Sequence, residues 1–582
     1  MVGFHPDHGD FSMRAIFYFI FHPPKRAAKW MSALACALSL LGAAGVTKAQ
    51  TNTASSPVDV CVYGGTSAGV MAAVEAHKMG RTVLLISPTK HLGGMTSAGL
   101  GYTDLGNQKI LGGLSRDFFH RVWLHYQNDS AWTFQPRKKF LNRSQRGPAF
   151  DDKLQLGITF EPHVAEAIFQ ELISENSIQV IDARLDLKNG VVKDGKRITG
   201  LRTEDGKIYN AQVFIDASYE GDLMAAAGVR YTIGREANAQ YHETLNGIQT
   251  ARATKNQLPP GIDPYVTEGD PSSGLLPGVN AEAGGKDGTA DKLIQAYCYR
   301  LCLTKVPKNS VEVEMPAGYK ESDYELLFRA IEHKQTSGFF TFSRIPNDKT
   351  DTNNENGIST DYIGMNDDYP EDDYATRARI EQAHKKWELG LIWTLQNSPR
   401  VPAAIRNSLR GLGLARDEFT DTDNWPPELY IREARRMVSD YVVTESVIRN
   451  SSSVEHSIGM GAYTLDSHNA QRYVDAKGHV RNEGDVQSPV AHPYSIDYGC
   501  LVPRAAECEN LIVPVCVSAS HIAYGSIRME PVFMALGQSA GTAAALAAED
   551  HVPVQQVDYD KLKSQLESDG QILTLAPPNP LR

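Results

Sequence analysis

Apolar residues run unbroken from 60 to 63 in "VDVCVY", stop at a cluster of glycines, and then recur with helical spacing in "SAGVMAAVEAHKM" before Gly80. A second unbroken apolar run, "TVLLIS", follows. Unbroken runs suit strands buried on both faces, so strand, glycine turn, helix and strand predict a βαβ unit in a parallel sheet. Glycines return in "HLGGMTSAGLGY" (91–102), too densely for a regular element. A helix opening on Pro162, "EPHVAEAIFQELIS", comes next. Shorter runs are then broken at Asp194-Gly195 and Asp205-Gly206, which predicts a β-meander ending in "VFIDASYEGD".

The pattern loosens between about 236 and 490 into polar loops, prolines and helices. The acidic, Asn-rich stretch 348–374 suits a solvated loop, or a functional one in view of its length and tyrosines. The stretch 426–443, "PPELYIREARRMVSDYVV", has the spacing of a helix carrying three arginines. Near the end, "NLIVPVCVSASH" predicts a buried strand. A last helix starts at Pro531 and is rich in Ala and Gly on its packing face. No internal repeat is present.

Length and composition narrow the picture. At 582 residues the chain exceeds one core, and 42% hydrophobic with 22% charged residues is globular. A net charge of −11 with no basic run argues against a nucleic-acid partner. The first fifty residues follow the order of a secretory leader: "KRAAKW", then the apolar 31–46, then "TKAQ" with a cut after Ala49. That run is shorter than the ~20 residues of a spanning helix, so the mature chain is expected to be exported without a membrane span. A cytoplasmic location is the alternative. Beyond Cys36, six cysteines are too sparse for a disulfide scaffold. They read as buried thiols, with Cys298 and Cys302 one helical turn apart and a Cys500–Cys508 bridge left open. No CxxC or HExxH points to a metal.

The first glycine cluster carries the chemistry. In "VYGGTSAGV" Gly64 and Gly69 take the first and third places of a G-x-G-x-x-G fingerprint, and Thr66 stands at the second. Gly65 keeps the turn permissive, the Thr66 hydroxyl can donate to a phosphate, and Ser67-Ala68-Gly69 opens a helix whose free N–H groups face an anion. Where the second strand ends, an acid would hold a ribose; the chain has Ser87. An NAD site depends heavily on that acid. An extended FAD has more contacts and tolerates its loss.

Seven blocks, in order, carry a resemblance: "VYGGTSAGVMAA", "PTKHLGGMTSAGLGYTD", "VFIDASYEGDLMAAAGV", "YRLCLT", "KTDTNN", "YIREARRM" and "ASHIAYGSIRMEPVFMALGQSAGTAAALA". The chain resembles, over nearly all of 58–570, the FAD-dependent oxidoreductases of the glutathione-reductase-like class. The match is to a large exported bacterial group, and more distantly to succinate dehydrogenase and fumarate reductase flavoproteins. The resemblance implies a Rossmann-like α/β FAD domain in two pieces, 56–235 and 491–582, around an inserted α+β substrate domain at 236–490. It implies FAD contacts from Gly64, Gly65, Thr66, Ser67, Ala68 and Gly69 at the pyrophosphate, and from His91, Gly93, Gly94 and Met95 along the phosphates and ribityl chain. Asp216, Ala217 and Ser218 fall near the adenine end, and Gly525 and Ser526 precede the flavin-facing helix. A glutamate at position 87 belongs to the group's pattern, so Ser87 departs from it.

Flavin chemistry asks for a proton acceptor and for positive charge near the reduced ring. His521 is the first candidate acceptor and His468 the second. Arg528, before the Pro531 helix, is the candidate cation or substrate-anion clamp, and Arg235, Arg432, Arg435 and Arg436 read as ion-pair and helix residues. The expectation is hydride transfer between a hydroxylated or carboxylated small molecule and FAD, with an unknown electron acceptor. Its rivals are an NAD(P)-linked flavin reductase, which lacks a second glycine fingerprint, a non-redox lyase or isomerase acting on polysaccharide fragments, and a non-catalytic flavin-binding protein.

Overall fold

The computed structural model describes residues 56–140, 143–144 and 147–575. The leader expected over 1–49 lies outside them. Strand β1 (Val58–Tyr63) runs through a glycine turn into helix α1 (Ser67–Lys78) and returns as the parallel strand β2 (Val83–Ser87). Helix α2 (Pro162–Glu175), with Pro162 in its first turn, leads to β3 (Gln179–Asp182) beside β2. The meander forms as expected from β4 (Val191–Asp194), β5 (Arg197–Arg202) and β6 (Ile208–Asp216), with Gly195 and Gly206 at φ 58° and 82° in its turns.

The resulting sheet has the order β3-β2-β1-β6-β5-β4. Strand β6 joins its two parts. Its first half pairs antiparallel with β5 (Tyr209 opposite Leu201), and its second half pairs parallel with β1 (Tyr63 opposite Asp216). The alternation of side chains explains the unbroken apolar runs. Val60, Val62, Val213 and Ile215 face one core, while Cys61, Tyr63, Leu84, Ile86 and Phe214 face another on the opposite side. Each such side chain, fully buried, stabilises the fold by about 2 kcal/mol.

A second, five-stranded sheet lies in the region read as loops. It is built from β7 (Leu301–Thr304), β8 (Ser310–Val311), β9 (Phe340–Ile345), β10 (Lys349–Asn354) and β11 (Gly413–Ala415), in the order β8-β11-β7-β10-β9. Much of the expected solvated stretch at 348–374 is therefore interior: Asp351, Thr352 and Asn366 are fully buried. Two of its acids pair with buried cations, Asp351 with Arg300 and Asp361 with Arg432. Helix α3 (Tyr374–Asn397) follows it.

The helix expected over 426–443 does not form. This stretch runs extended, bridging Tyr430 to Cys298 and pairing Thr232 with Arg436. Helical spacing would gather Arg432, Arg435 and Arg436 on one face, yet they bind different partners: Asp361, Asp222 and Glu236. Tertiary pairing overrides the local propensity. Cys298 and Cys302 likewise sit on extended backbone rather than a helical turn. All six described cysteines are free and buried.

Strand β12 (Leu465–Ser467) packs under helix α4 (His521–Ile527), where a loop was expected. The late buried run is a strand only at β13 (Leu511–Ile512), parallel to the second half of β6. Helix α5 (Glu530–Asp550) begins with Pro531 in its first turn, as expected. It is long and apolar enough to cross a membrane, but the qualifying stretch is 94% buried inside the protein. It crosses α1 at glycines: a Cβ on Gly537 would lie 2.2 Å from the Ala68 carbonyl oxygen, and one on Gly541 2.4 Å from that of Ala72. Because both obstacles are backbone, Gly537→Ala is expected to destabilise the fold by about 1–3 kcal/mol in chemical denaturation. An unchanged midpoint would show that the two helices can separate freely.

Candidate functional site

The turn after β1 admits little but glycine. Gly64 has φ 109°, and a Cβ there would stand 2.6 Å from the Ala217 carbonyl carbon; one on Gly69 would stand 1.9 Å from the Gly64 oxygen. Thr66 caps α1, its hydroxyl accepting from the Gly69 N–H at 3.2 Å and donating to the Ala217 carbonyl at 2.7 Å. That proton is therefore committed to the end of β6 rather than offered to a phosphate. The second glycine loop is joined to the first, since the Gly93 N–H donates to the Gly65 carbonyl at 2.7 Å.

One carboxylate gathers these parts. Glu530, at the start of α5, accepts from Ser67 Oγ at 2.5 Å, Thr96 Oγ1 at 2.8 Å and the Tyr219 hydroxyl at 2.7 Å. Tyr219 in turn accepts from the Met95 N–H at 2.8 Å and packs where a Gly94 side chain would be. Burial raises the Glu530 carboxyl above its usual range, and the three donors oppose that.

A cavity of about 230 Å³ opens at the carboxyl ends of β1, β2 and β6. Gly64, Gly65, Thr66, Ser87, Ser218 and Tyr219 line it, together with Thr89, Glu220, Arg377 and Glu428. Strand order reverses at β1, with β2 on one side and β6 on the other, and such a switch point is where open α/β sheets bind ligands. The Ser87 hydroxyl donates to the Thr89 carbonyl at 2.5 Å, so it is held within its own turn. Asp216 faces inward, accepting from Ser218 and the Met224 N–H, and burial pushes it up to about 6. Asp222 is clamped by Arg377 at 2.6 and 2.9 Å and by Arg435 at 2.7 Å. Burial alone would raise its carboxyl, but those guanidiniums hold it low. His91 stands apart from the cavity lining, against Glu166 at 3.0 Å, whose hydrogen bond raises its pKa.

The three expected catalytic residues meet on the strand β12 and the residue after it. Arg528 reaches the Asp466 carboxylate at 3.0 Å, and His468 Nε2 lies 3.5 Å from it. His468 Nδ1 is 2.8 Å from Asp361. Burial and Arg432 work against the charged imidazole, but Asp361 and Asp466 outweigh them and raise the His468 pKa. His521 has both ring nitrogens engaged, Nε2 with Ser467 Oγ at 2.9 Å and Nδ1 with Glu433 at 2.7 Å. Gly525 packs on the Asp466 backbone, and the Ser526 hydroxyl donates to the Tyr463 carbonyl.

Sequence reading singled out Arg528 and both histidines but missed what surrounds them. The Tyr430 ring is flanked by three guanidiniums, of Arg432 at 4.7 Å, Arg528 at 5.7 Å and Arg300 at 5.9 Å. Arg528 also donates to its hydroxyl at 2.7 Å. Arg300 forms a bidentate pair with Asp351, both contacts at 2.7 Å. The available signal was Arg300, a charged residue inside the largely apolar "YRLCLT"; its partner Asp351 lies in the polar "KTDTNN" and carried none. Another acidic group, Glu161, His163 and Glu418, has the spacing of metal ligands. The Lys349 ammonium lies among them, 2.8 Å from Glu161 and 2.5 Å from Glu418, and supplies the positive charge.

A glycine turn, a helix N-terminus and a cavity at the switch point of a parallel sheet define a nucleotide-binding α/β protein. The family is narrower: the sequence profile described as FAD dependent oxidoreductase matches residues 59–566, and the chain belongs to that family. Its cofactor is FAD. No curated protein matches the chain significantly. Among solved structures it is similar to the flavin-dependent brominase Bmp2, at 16% identity, over 31% of this chain and 42% of that one, with a TM-score of 0.21. A 3-ketosteroid-delta4-(5alpha)-dehydrogenase from Rhodococcus jostii RHA1 matches at 17% identity over 31% and 50%, with a TM-score of 0.19. L-proline dehydrogenase from P.horikoshii matches at 16% over 31% and 58%, with a TM-score of 0.21. The chain thus spans about half the length of the structures it matches.

The cradle fits the cofactor, because Gly64 and Gly65 line the cavity with bare backbone beside the N-terminus of α1, and a Cβ at either would strike Ala217 or Ser87 and distort that lining. Gly64→Ala forces a left-handed residue against Ala217, a strain of about 1–3 kcal/mol. It is expected to weaken FAD binding at least tenfold in a flavin-fluorescence titration. Wild-type affinity in that variant would remove this turn from the cofactor site.

Proposed function

We propose that the protein is a glutathione-reductase-like FAD enzyme that moves a hydride between a small hydroxylated or carboxylated substrate and the flavin. The observation that carries this is the convergence of Arg528 and His468 on Asp466, beside the Tyr430 ring that Arg300 and Arg432 also flank. Three guanidiniums in one buried cluster suit the carboxylate or polarised oxygen of a substrate. The Nε–H groups of Arg432 and Arg528 are buried without a partner, leaving donors to spare.

In this reading the substrate C–H departs as hydride while His468 Nε2 takes the hydroxyl proton, leaving a carbonyl. Asp361 fixes the imidazole through Nδ1, and Arg528 and the N-terminus of α5 stabilise negative charge. FAD supplies the hydride acceptor when bound. His468 replaces His521 as the preferred base, because its Nε2 has only a 3.5 Å contact with Asp466, whereas the two nitrogens of His521 are held at 2.9 and 2.7 Å. A separate, unidentified electron acceptor reoxidises the enzyme. Residues 236–490 form the substrate side of the site, between the two pieces of the FAD domain. The basic, apolar and small-residue order of 25–49 supports export of the mature chain.

The test is anaerobic addition of hydroxy acids, sugar acids and polyols to the FAD-loaded protein. Loss of the flavin's visible band is expected; turnover with the band intact would replace hydride transfer with non-redox chemistry. With a substrate in hand, His468→Gln is expected to lower kcat by about 10²–10⁴-fold with a smaller effect on KM. The wild-type kcat/KM is expected to rise with pH through a value above 6.5, because the neutral imidazole is the base and its pKa is raised. A flat profile would remove His468 from that role.

A further inference from the structure

The fold leaves one recognition problem open. The adenosine ribose of a dinucleotide is usually held by an acid at the end of the second strand. Here that residue is Ser87, whose hydroxyl is turned back onto the Thr89 carbonyl. It cannot offer a carboxylate to two adjacent hydroxyls. The same cavity nevertheless contains a carboxylate from a distant part of the chain.

Glu428 lines the cavity together with Ser87, Pro88 and Thr89, and its Oε1 lies 3.4 Å from Thr89 Oγ1. It arrives there because 426–437 runs extended, past the end of β2, instead of forming a helix. We propose that Glu428 is the ribose-binding carboxylate of this FAD site, doing from the 426–437 segment what the end of β2 does elsewhere. The inference rests on FAD as the cofactor and not on the hydride-transfer reading.

The other acids of the cavity are placed for different work. Asp222 is taken by Arg377 and Arg435, and Glu381 by the Tyr369 hydroxyl at 3.0 Å. Glu220 follows β6, on the far side of the glycine turn from β2, and the Arg377 guanidinium opposes the rise that burial imposes on its carboxyl. Glu428 accepts the long Thr89 contact, and His91 is the cation that draws its carboxyl down. Burial, reinforced by Glu220 and Glu530, pushes it up to about 8. A half-buried carboxyl facing the cavity beside Thr89 is placed to accept from two ribose hydroxyls.

The test uses the full chain without substrate. FAD is titrated by flavin fluorescence into wild type, Glu428→Gln, Glu220→Gln and the double variant Ser87→Glu/Glu428→Gln. Glu428→Gln is expected to weaken FAD at least tenfold, Glu220→Gln by less than threefold, and the double variant to recover most of the loss. The wild-type chain is also titrated with FAD lacking the adenosine 2′-hydroxyl. It should bind that analogue about tenfold more weakly than FAD, and Glu428→Gln should bind the two equally. Retained discrimination in Glu428→Gln, or an equal loss in Glu220→Gln, would overturn the assignment. The wild-type comparison of FAD with its analogue needs no variant to fold, and failure to discriminate there would also overturn it. Hydride transfer could still hold in either case, because bleaching by substrate is read separately.

Discussion

A guanidinium taken out of water must meet a carboxylate, and the extended segment 426–437 carries three of them into the interior. Removing one partner of such a buried pair costs about 3–5 kcal/mol, so the path of the backbone follows the carboxylates rather than helix propensity. Arg432 goes to Asp361, Arg435 to Asp222, and Arg436 to Glu236 and Glu433. Asp222 stands beside the nucleotide cavity, Asp361 holds His468, and Glu433 holds His521. One stretch of chain thus ties the cavity to the expected reaction centre through its ion pairs. Its extended form also delivers Glu428 to the cavity and Tyr430 to the arginine cluster.

The second constraint is distance between helices. Gly537 and Gly541 let α5 lie against the backbone of α1. That close approach brings the first turns of both helices to Glu530, which accepts from Ser67 on one and begins the other. Two positive helix ends and three hydroxyls around a single carboxyl partly offset its burial. A larger residue at either crossing would move α5 outward and take Glu530, Tyr219 and the 93–96 loop out of register together.

How much of this was legible depends on range. The βαβ unit, the meander and the Pro531 helix follow from local periodicity and turn residues, and they formed as read. The five-stranded sheet was not legible, because β10 is polar in sequence and its charges are neutralised by residues far along the chain: Asp351 by Arg300, and Lys349 by Glu161 and Glu418. The same is true of 426–443, where helical spacing was real but the partners were elsewhere. At the site, the glycines announced themselves, and Arg528 and His468 were marked by the loops they occupy. Tyr430, Asp361 and Asp466 carried no local mark.

The contacts of His521 show why an apparent triad belongs to positioning. Ser467, His521 and Glu433 stand at 2.9 and 2.7 Å, the order and spacing of a nucleophile with its base. Side chains alternate along a strand, however, so Asp466 faces the arginine cluster while Ser467 faces α4, where it is 1% exposed. Its hydroxyl is committed to His521 in this packing. Burial would raise the Glu433 carboxyl, but His521 and Arg436 hold it down at about 2, so it remains ionised. Gln295 then carries the arrangement onward, donating to Glu433 at 2.6 Å and accepting from the His468 N–H at 3.2 Å. The buried triad therefore fixes the backbone that presents His468, and the chemistry proposed for His468 lies on the other face of the strand.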